Sequence, residues 1–285
     1  MLPSLLAFLP LDQLPQWFVV GFFTILGACI GSFLNVCIYR IPADRSLMFP
    51  GSTCQCGQPV APRDNIPIFG WILLRGKARC CGAKLSWRYP ATEALTALLF
   101  GLLAALLPVW HAVGLMIFTS CLIAGSGIDL DHTMIPDRFT IGLAALGMGA
   151  SYLLPGLHGY PPGGSHSLDS LKAGVIGLAA GTTGLIWLAF VLGLVLKKDA
   201  MGMGDIKLIG AIGMWTGVAG VIAAVFLGAF IGSLAIVGSK IARRPLPERF
   251  PFGPMLSAGA IAFILLPDSC LAYAPLLFGR FTPPL

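Results

Sequence analysis

The stretch KKDAMGMGDIKLIGAIG, residues 197–213, lies at the boundary between two long apolar runs. A lysine pair ends the first run, and the second run begins at Asp205, behind the glycines Gly202 and Gly204. An ionisable group at the edge of an apolar segment of membrane length is costly and usually has a function. The stretch therefore predicts a connection between two membrane helices with a carboxylate at the membrane edge.

The composition of the whole chain is that of a membrane protein. Of its 285 residues, 56% are hydrophobic and 11% are charged, whereas soluble domains carry about 25% charged residues. The mean hydropathy is +0.86. We therefore predict an all-α polytopic membrane protein. The formal charge of +6 is by itself compatible with nucleic-acid binding, but the placement of the basic residues argues against such a function.

About eight segments have the roughly 20 apolar residues that a membrane helix needs, although the sixth is short and rich in glycine. The polar segment from Tyr39 to Pro90 is the only one large enough to form a soluble subdomain. The first ten residues lack the basic region of a signal peptide, so we expect the first span to remain as an anchor. The predicted spans are residues 16–38, 91–109, 111–129, 138–155, 172–196, 205–218, 219–239 and 254–273.

The basic residues are distributed asymmetrically over these spans. Of the 18 lysines and arginines, all except Lys172 and Arg280 fall on one face of the predicted topology. Loops rich in Lys and Arg stay in the cytoplasm. The sequence therefore predicts a topology with both termini outside and the large loop in the cytoplasm. Topology and contact with the lipid bilayer explain the basic residues, so no nucleic-acid partner is expected.

Acidic residues cluster at the cytoplasmic edge of two predicted spans. The third span ends with AGSGIDLDHTMIPD, which supplies Asp129, Asp131, His132 and Asp137, and the sixth span begins at Asp205. The topology places both segments on the same face, so two carboxylates can meet there. In a poorly solvated pair, one carboxylate is ionised and the other holds a proton. Such a pair activates a water as a base and protonates a leaving amine as an acid, as an aspartic protease does.

Other interpretations of these acids stay open on the residues alone. An aspartate at a helix N-terminus is most often a cap or a partner of the helix dipole, and Asp131 and Asp137 are better candidates for caps or salt bridges. His132 is better explained as an interfacial polar residue than as a catalyst. The group also suits ion coupling in a transporter, and a non-catalytic scaffold protein would use its carboxylates only as caps.

Five stretches, in order along the chain, resemble the bacterial type IV prepilin leader peptidases, which are GxGD membrane aspartic peptidases. GMGD resembles the GxGD motif, and IDLDHTMIPD resembles the family's first catalytic motif. A stretch at the end of the first span, the cytoplasmic loop and PFGPML resemble three further motifs. The five stretches are residues 31–42, 63–96, 128–137, 202–205 and 251–256.

The resemblance implies that Asp129 and Asp205 form the catalytic pair that removes the basic leader of prepilins and of type II secretion pseudopilins. It also implies N-methylation of the new N-terminal residue with S-adenosylmethionine as the methyl donor, although the residues that bind this cofactor are unknown. We assign the methyltransferase part to residues 1–90, with the first span and the cytoplasmic loop, and the peptidase domain to residues 91–285. The scissile bond is then expected at the inner membrane interface, where Gly202 and Gly204 leave room for a substrate backbone.

Four of the eight cysteines lie in the cytoplasmic loop and are candidate zinc ligands. A reducing cytosol favours metal binding over a disulfide, and four thiolates can surround one zinc tetrahedrally as a structural site. The spacing is C-x-C and C-C, whereas the related family commonly has two C-x-x-C pairs, so reduced free thiols are the alternative. The candidate ligands are Cys54, Cys56, Cys80 and Cys81, and the remaining cysteines, expected as packing residues, are Cys29, Cys37, Cys121 and Cys270.

Three polar residues in the N-terminal part of the chain have predicted structural roles. Ser32 and Asn35 in the first span are candidates for hydrogen bonds between helices. Glu93, near the start of the second span, has two interpretations, a helix N-terminal acid or a polar ligand in the methyl-transfer site. We favour the helix N-terminal acid.

Overall fold

The computed structural model describes residues 14–161, 164–197, 201–243 and 251–266. Within these ranges the chain forms α-helices and two short 3₁₀ helices, with two isolated β-bridges and no strand, and a long polar loop follows the first helix. The prediction of an all-α polytopic protein is confirmed. The helices are α1 (Gln16–Arg40), α2 (Phe69–Leu73), α3 (Arg88–Leu106), α4 (Val109–His132), α5 (Asp137–Leu153), α6 (Gly164–Leu196), α7 (Met203–Ile241) and α8 (Gly253–Leu265).

Five of these helices are long and apolar enough to cross a membrane, and they are α1, α3, α4, α6 and α7. Helix α8 is apolar but has only 13 residues in the described part of the chain. The predicted eighth span, residues 254–273, extends beyond the described range, as does Cys270. The multi-pass architecture is therefore clear, and the count of eight spans stays a prediction.

Helix α7 contains both the sixth and the seventh predicted spans. A straight helix of its 39 residues would be roughly 58 Å long, about twice the thickness of a ~30 Å hydrocarbon core. The helix is interrupted at Gly217, whose φ of 67° and ψ of −173° are not helical. Because a positive φ is strained for residues with a Cβ, glycine suits this break between the two segments.

The chain forms two compact units, Met1–Ala124 and Gly125–Leu285, and the boundary falls inside α4. In the first unit, α1 and α3 pack closely through small residues. A Cβ added at Gly27 would lie 2.8 Å from the Thr96 carbonyl oxygen, and one at Gly31 would lie 2.7 Å from the Glu93 Cα atom. Close approach at small residues is typical of helix packing in lipid, and it fixes the two helices that flank the large polar loop.

In the second unit, α6 and α7 cross with their backbones in contact. A Cβ at Gly177 or at Gly213 would collide with the carbonyl oxygen of the other residue, and one at Gly181 would lie 2.8 Å from the Ile209 carbonyl oxygen. Dispersion contacts of this kind replace the hydrophobic driving force that lipid does not supply. The crossing therefore holds α7, the helix that carries Asp205.

We expect Gly177→Ala to destabilise the second unit, because the new methyl group must push α6 away from the Gly213 backbone. Overpacking of a tight contact costs about 1–3 kcal/mol. The matched control is Gly184→Ala on the same helix, where a Cβ meets nothing within 4 Å. The measurement is the thermal midpoint of the purified protein in detergent. Equal midpoints for the two variants would contradict the proposed importance of the crossing.

Candidate active site and metal centre

Asp129 lies in the last turn of α4, and its side chain is buried, with 5% of the residue exposed. Its Oδ2 atom accepts a hydrogen bond of 3.1 Å from the backbone N–H of Gly253, the first residue of α8. A proton on Asp129 would therefore be carried by Oδ1, because Oδ2 acts as an acceptor. The contact joins two segments that lie far apart in the chain.

Asp205 lies in the first turn of α7, with Gly202 as the N-cap residue. The Asp205 carboxylate faces the backbone of Gly202, where an added Cβ would lie 3.4 Å from its Oδ2 atom. Helix α7 has no side-chain cap hydrogen bond, so the capping role considered for Asp205 stays a prediction. The residue is partly exposed.

The side chain of Ile135 connects the surroundings of the two aspartates. A Cβ at Gly204 would lie 3.4 Å from the Ile135 Cβ, and a Cβ at Gly253 would lie 2.8 Å from both the Ile135 Cδ1 and the Asp129 Oδ2. The carboxylates of Asp129 and Asp205 are close enough to interact electrostatically. Two carboxylates from α4 and α7 therefore converge on one site, next to Gly253, where a Cβ would force its neighbours to shift, and Gly204, where a Cβ would make only an ordinary contact.

The remaining acids of this region lie outside the pair. Asp137 begins α5 without a side-chain cap hydrogen bond and instead forms an ion pair with Lys207, with 2.7 Å between Oδ1 and Nζ. Asp131 and His132 are exposed at the end of α4. The salt bridge considered for Asp137 is confirmed, and this exposed pair connects the start of α5 to the start of α7.

The four loop cysteines converge on one small volume. Cys54 and Cys56 lie in a turn closed by a bridge between Thr53 and Pro59, while Cys80 and Cys81 lie in a second turn, closed by the bridge between Lys77 and Lys84. The Sγ atoms of Cys54 and Cys81 are 3.5 Å apart, and those of Cys56 and Cys80 are 3.2 Å apart. All four sulfurs lie within 4.8 Å of one another.

This arrangement fits a zinc ion geometrically. Zn–S bonds of about 2.3 Å in a tetrahedron separate the sulfurs by roughly 3.8 Å, which is close to the distances between the thiols. The unusual C-x-C and C-C spacing is therefore no obstacle, because each turn contributes two thiols to one centre.

The thiols differ in acidity. A backbone hydrogen bond from Cys56, followed by hydrogen bonds from Cys80 and Cys81, lowers the pKa of Cys54 to about 7. Hydrogen bonding with Cys56 and Cys54 raises the pKa of Cys80 to about 12. Four thiolates at neutral pH would therefore require a cation at the centre.

An ion pair supports the second cysteine turn. Arg79, between the two bridged lysines, donates from Nη2 to Asp64 Oδ1 at 2.7 Å and from Nε to Oδ2 at 2.9 Å. The hydrogen bonds from Arg79 lower the pKa of Asp64. A bidentate Arg–carboxylate pair fixes orientation as well as distance, so the turn has a defined position on the loop.

The favoured interpretation of Glu93 is wrong. The first turn of α3 contains no acidic residue, and Glu93 lies beyond it, with 8% of the residue exposed. Its Oε2 atom accepts a hydrogen bond of 2.6 Å from the backbone N–H of Ile68 in the polar loop, and its side chain also hydrogen-bonds with Ser32 of α1. Glu93 is therefore a buried anchor for the loop.

Other predictions for the first unit have mixed outcomes. Asn35 Nδ2 donates to the Tyr89 carbonyl oxygen at 3.1 Å, so it joins α1 to α3 as expected. Cys37 is buried as a packing residue, but Cys29 is exposed on α1, so the packing prediction fails there. The role of Gly253 was not predicted, although the motif PFGPML contains it. The one sequence feature that marks this position is a glycine flanked by Pro251 and Pro254 at the start of a predicted span.

Comparison with known proteins gives a consistent result over nearly the whole chain. Residues 25–107 match the family described as the bacterial peptidase A24 N-terminal domain. Residues 116–237 match the type IV leader peptidase family. None of the solved structures compared with the chain matches it.

Relatives in several bacteria match at the level of the full chain. A type 4 prepilin-like proteins leader peptide-processing enzyme of Escherichia coli is 38% identical over 85% of this chain and 92% of its own length. A prepilin leader peptidase/N-methyltransferase of Neisseria gonorrhoeae is 35% identical over 88% of this chain and 92% of its own. A prepilin leader peptidase/N-methyltransferase of Aeromonas salmonicida is 33% identical over 87% of this chain and 91% of its own length. The chain therefore belongs to the type IV prepilin leader peptidase family.

Proposed function

We propose that this chain cleaves the leader peptide of type IV prepilins and then N-methylates the new N-terminal residue. The family and its relatives, which are prepilin leader peptidases and N-methyltransferases, support both activities. Family membership favours a peptidase over the ion-coupled transporter and the pilus assembly scaffold. The structural observation that carries the proposal is the convergence of Asp129 and Asp205 from two helices that are distant in the chain.

In this proposal Asp129 and Asp205 share the acid and base roles. One ionised carboxylate takes a proton from the attacking water, and the protonated one donates to the leaving amine. The Gly253 N–H holds Oδ2 of Asp129, so its Oδ1 atom remains for proton transfer. Pre-orientation of a catalytic group in this way reduces the entropy cost of reaching the transition state.

The proposed substrates are membrane proteins with a basic leader, and they include pseudopilins of type II secretion as well as prepilins. We propose an inner-membrane location with the large loop and the aspartates facing the cytoplasm. The distribution of lysine and arginine over the spans supports this orientation. A substrate helix in the same bilayer would then present its cleavage site at the depth of the aspartate pair.

For methyl transfer, the relatives' names imply a donor of the S-adenosylmethionine type, which supplies the methyl group when bound. We propose residues 1–90 as the methyltransferase part and residues 91–285 as the peptidase domain. The described residues of the first unit do not identify the donor's pocket. Glu93, the acidic candidate, is buried and already accepts the Ile68 N–H, so it does not fit the role of a ligand for the donor.

The four loop cysteines fit a structural zinc, which we propose as a cross-link between the two cysteine turns. Cys54, Cys56, Cys80 and Cys81 would occupy all four positions of a tetrahedron, so no open position would remain for catalysis. The thiols come from turns that are separated by α2 along the chain. A shared ion would therefore hold the fold of the whole polar loop.

We expect Asp129→Asn and Asp205→Asn each to reduce leader cleavage by roughly 10²–10⁴-fold, because each removes an acid–base group. The assay is cleavage of a prepilin by membranes with equal amounts of each protein. The matched control is Asp137→Asn, which removes only an exposed ion pair worth about 0–1 kcal/mol. Full cleavage by either variant of the pair would refute its catalytic role.

We expect Gly253→Ala to reduce the rate of cleavage about tenfold or more, since a hydrogen bond to a charged group contributes about 1.5–3 kcal/mol. The added Cβ would lie 2.8 Å from Asp129 Oδ2 and would displace the carboxylate. The loss should appear in kcat more than in KM, because the contact orients a reacting group. Gly238→Ala, where a Cβ meets nothing within 4 Å, is the control, and equal kcat values for the two variants would contradict this role.

We expect the wild-type protein to hold about one zinc per chain, and the double variant Cys54→Ser/Cys81→Ser to hold almost none. The measurement is elemental analysis of the purified protein by mass spectrometry, together with protease sensitivity of the loop. Cys29→Ser, which removes an exposed thiol of α1, is the control and should retain the metal. Wild-type protein that is free of zinc after growth in zinc-replete medium would overturn the proposal.

A further inference from the structure

Helix α2 exposes an apolar face within the polar loop. Phe69, Ile72 and Leu73 are 64%, 54% and 73% exposed. They occupy positions i, i+3 and i+4, so they lie on one side of the helix. We call these three residues the α2 apolar face. Exposed apolar residues that lie together on one surface are typical of an interaction site.

The other side of α2 is packed on the loop and cannot rotate outward. Gly70 is buried, and a Cβ there would collide with the Asp64 carbonyl oxygen. Trp71 donates from Nε1 to the Leu85 carbonyl oxygen at 3.3 Å. The direction of the apolar face is therefore set by contacts on the opposite side of the helix.

The polar loop is anchored to a membrane helix directly before α2. The Ile68 N–H donates to Glu93 on α3 at 2.6 Å, and Ile68 has a φ of 64°. A β-branched residue in this region is strained and persists only where its surroundings hold it. Glu93 is the sixth residue of α3, about 8 Å along the helix axis from its start. This anchor keeps the start of α2 beside the first two turns of α3, at the end of that helix that faces the cytoplasm in the predicted topology.

The charge around α2 suits an anionic surface. The segment between α1 and α3 contains only two acidic residues, and one of them, Asp64, is paired with Arg79. Arg75, Lys77 and Lys84 follow the apolar face and are exposed. Basic residues next to an apolar helix face are the pattern of segments that lie in the membrane interface.

We propose that the α2 apolar face inserts into the cytoplasmic interface of the bilayer, with Arg75, Lys77 and Lys84 contacting the headgroups of anionic phospholipids. The loop then has two attachments to the membrane besides its ends, the Glu93 anchor and the α2 insertion. The cysteine turns are held against the membrane surface rather than projecting into the cytoplasm. This inference does not depend on the identity of the catalytic residues.

The test is photocrosslinking in nanodiscs of the full-length protein. A benzophenone amino acid replaces Ile72, and the control replaces Gln58, which is exposed in the first cysteine turn. One set of discs contains phosphatidylglycerol with phosphatidylcholine, and a second set contains phosphatidylcholine alone. Mass spectrometry identifies the adducts after irradiation, and a prepilin is added to half of the samples.

We expect lipid adducts at position 72 and almost none at position 58. We also expect a yield roughly twofold or more higher in the anionic discs, because each basic residue near such a surface adds attraction. The double substitution Arg75→Gln/Lys77→Gln should remove most of this difference. Equal yields in the two lipids would overturn the headgroup contacts.

Three outcomes would overturn the insertion itself. The first is that position 72 crosslinks only to the prepilin. The second is that position 72 crosslinks only to another segment or to a second copy of this chain. The third is that the yield of lipid adducts at position 72 is no higher than at position 58. Crosslinking yields are compared only among labelled proteins that cleave the leader peptide as the unlabelled protein does. A labelled protein without this activity is treated as misfolded, and the label is then placed at Phe69 instead of Ile72.

Discussion

The hydrogen bond from the Gly253 backbone to Asp129 is the interaction on which the proposed catalytic arrangement depends. It ties the end of α4 to the start of α8, and the side chain of Ile135 fills the space between this contact and Gly204. A carboxylate with 5% exposure needs such a partner, because an unsatisfied polar group in a poorly solvated place is costly. The absence of a Cβ at Gly253 allows its backbone to come this close to Asp129, and Asp205 reaches the same site from α7. The two acids thus lie at helix ends, and Ile135, in the short connection between α4 and α5, packs beside them.

The polar loop follows a similar principle with different chemistry. None of its apolar side chains is buried in a core, so polar contacts determine its structure. Glu93 holds Ile68, Arg79 holds Asp64, and the two cysteine turns meet through four thiols. Each of these contacts joins residues that lie well apart in the chain. A zinc ion would complete the last of them. The proposed insertion of α2 into the membrane interface would give the loop the apolar contact that it otherwise lacks.

The sequence predicted the chemistry of the site better than its geometry. The cost of charges at membrane edges indicated a group of acids, and the resemblance to the leader peptidases selected Asp129 and Asp205 among them. The cysteines were identified because thiols at short spacing suit a metal. Glu93 was misinterpreted, since its position near the start of a predicted span suggested a helix N-terminal acid. The true start of α3 at Arg88 places Glu93 beyond the first turn, where its partner is a backbone amide of a different segment. The Gly253 contact was missed because a backbone N–H leaves no chemical signature in a sequence.

The amino-acid sequence by itself determined the all-α membrane architecture and indicated the four candidate ligands and the group of acids at the edges of the predicted spans. These features follow from local composition, because hydropathy over about 20 residues and charge at the ends of spans are properties of neighbouring residues. Only the tertiary structure decided which helix ends meet at Asp129, that Glu93 anchors the loop, and that α6 and α7 cross at Gly177 and Gly213. Those contacts join distant segments through backbone atoms. Their presence depends on how closely two helices approach, which is a property of the packed chain and not of any single stretch.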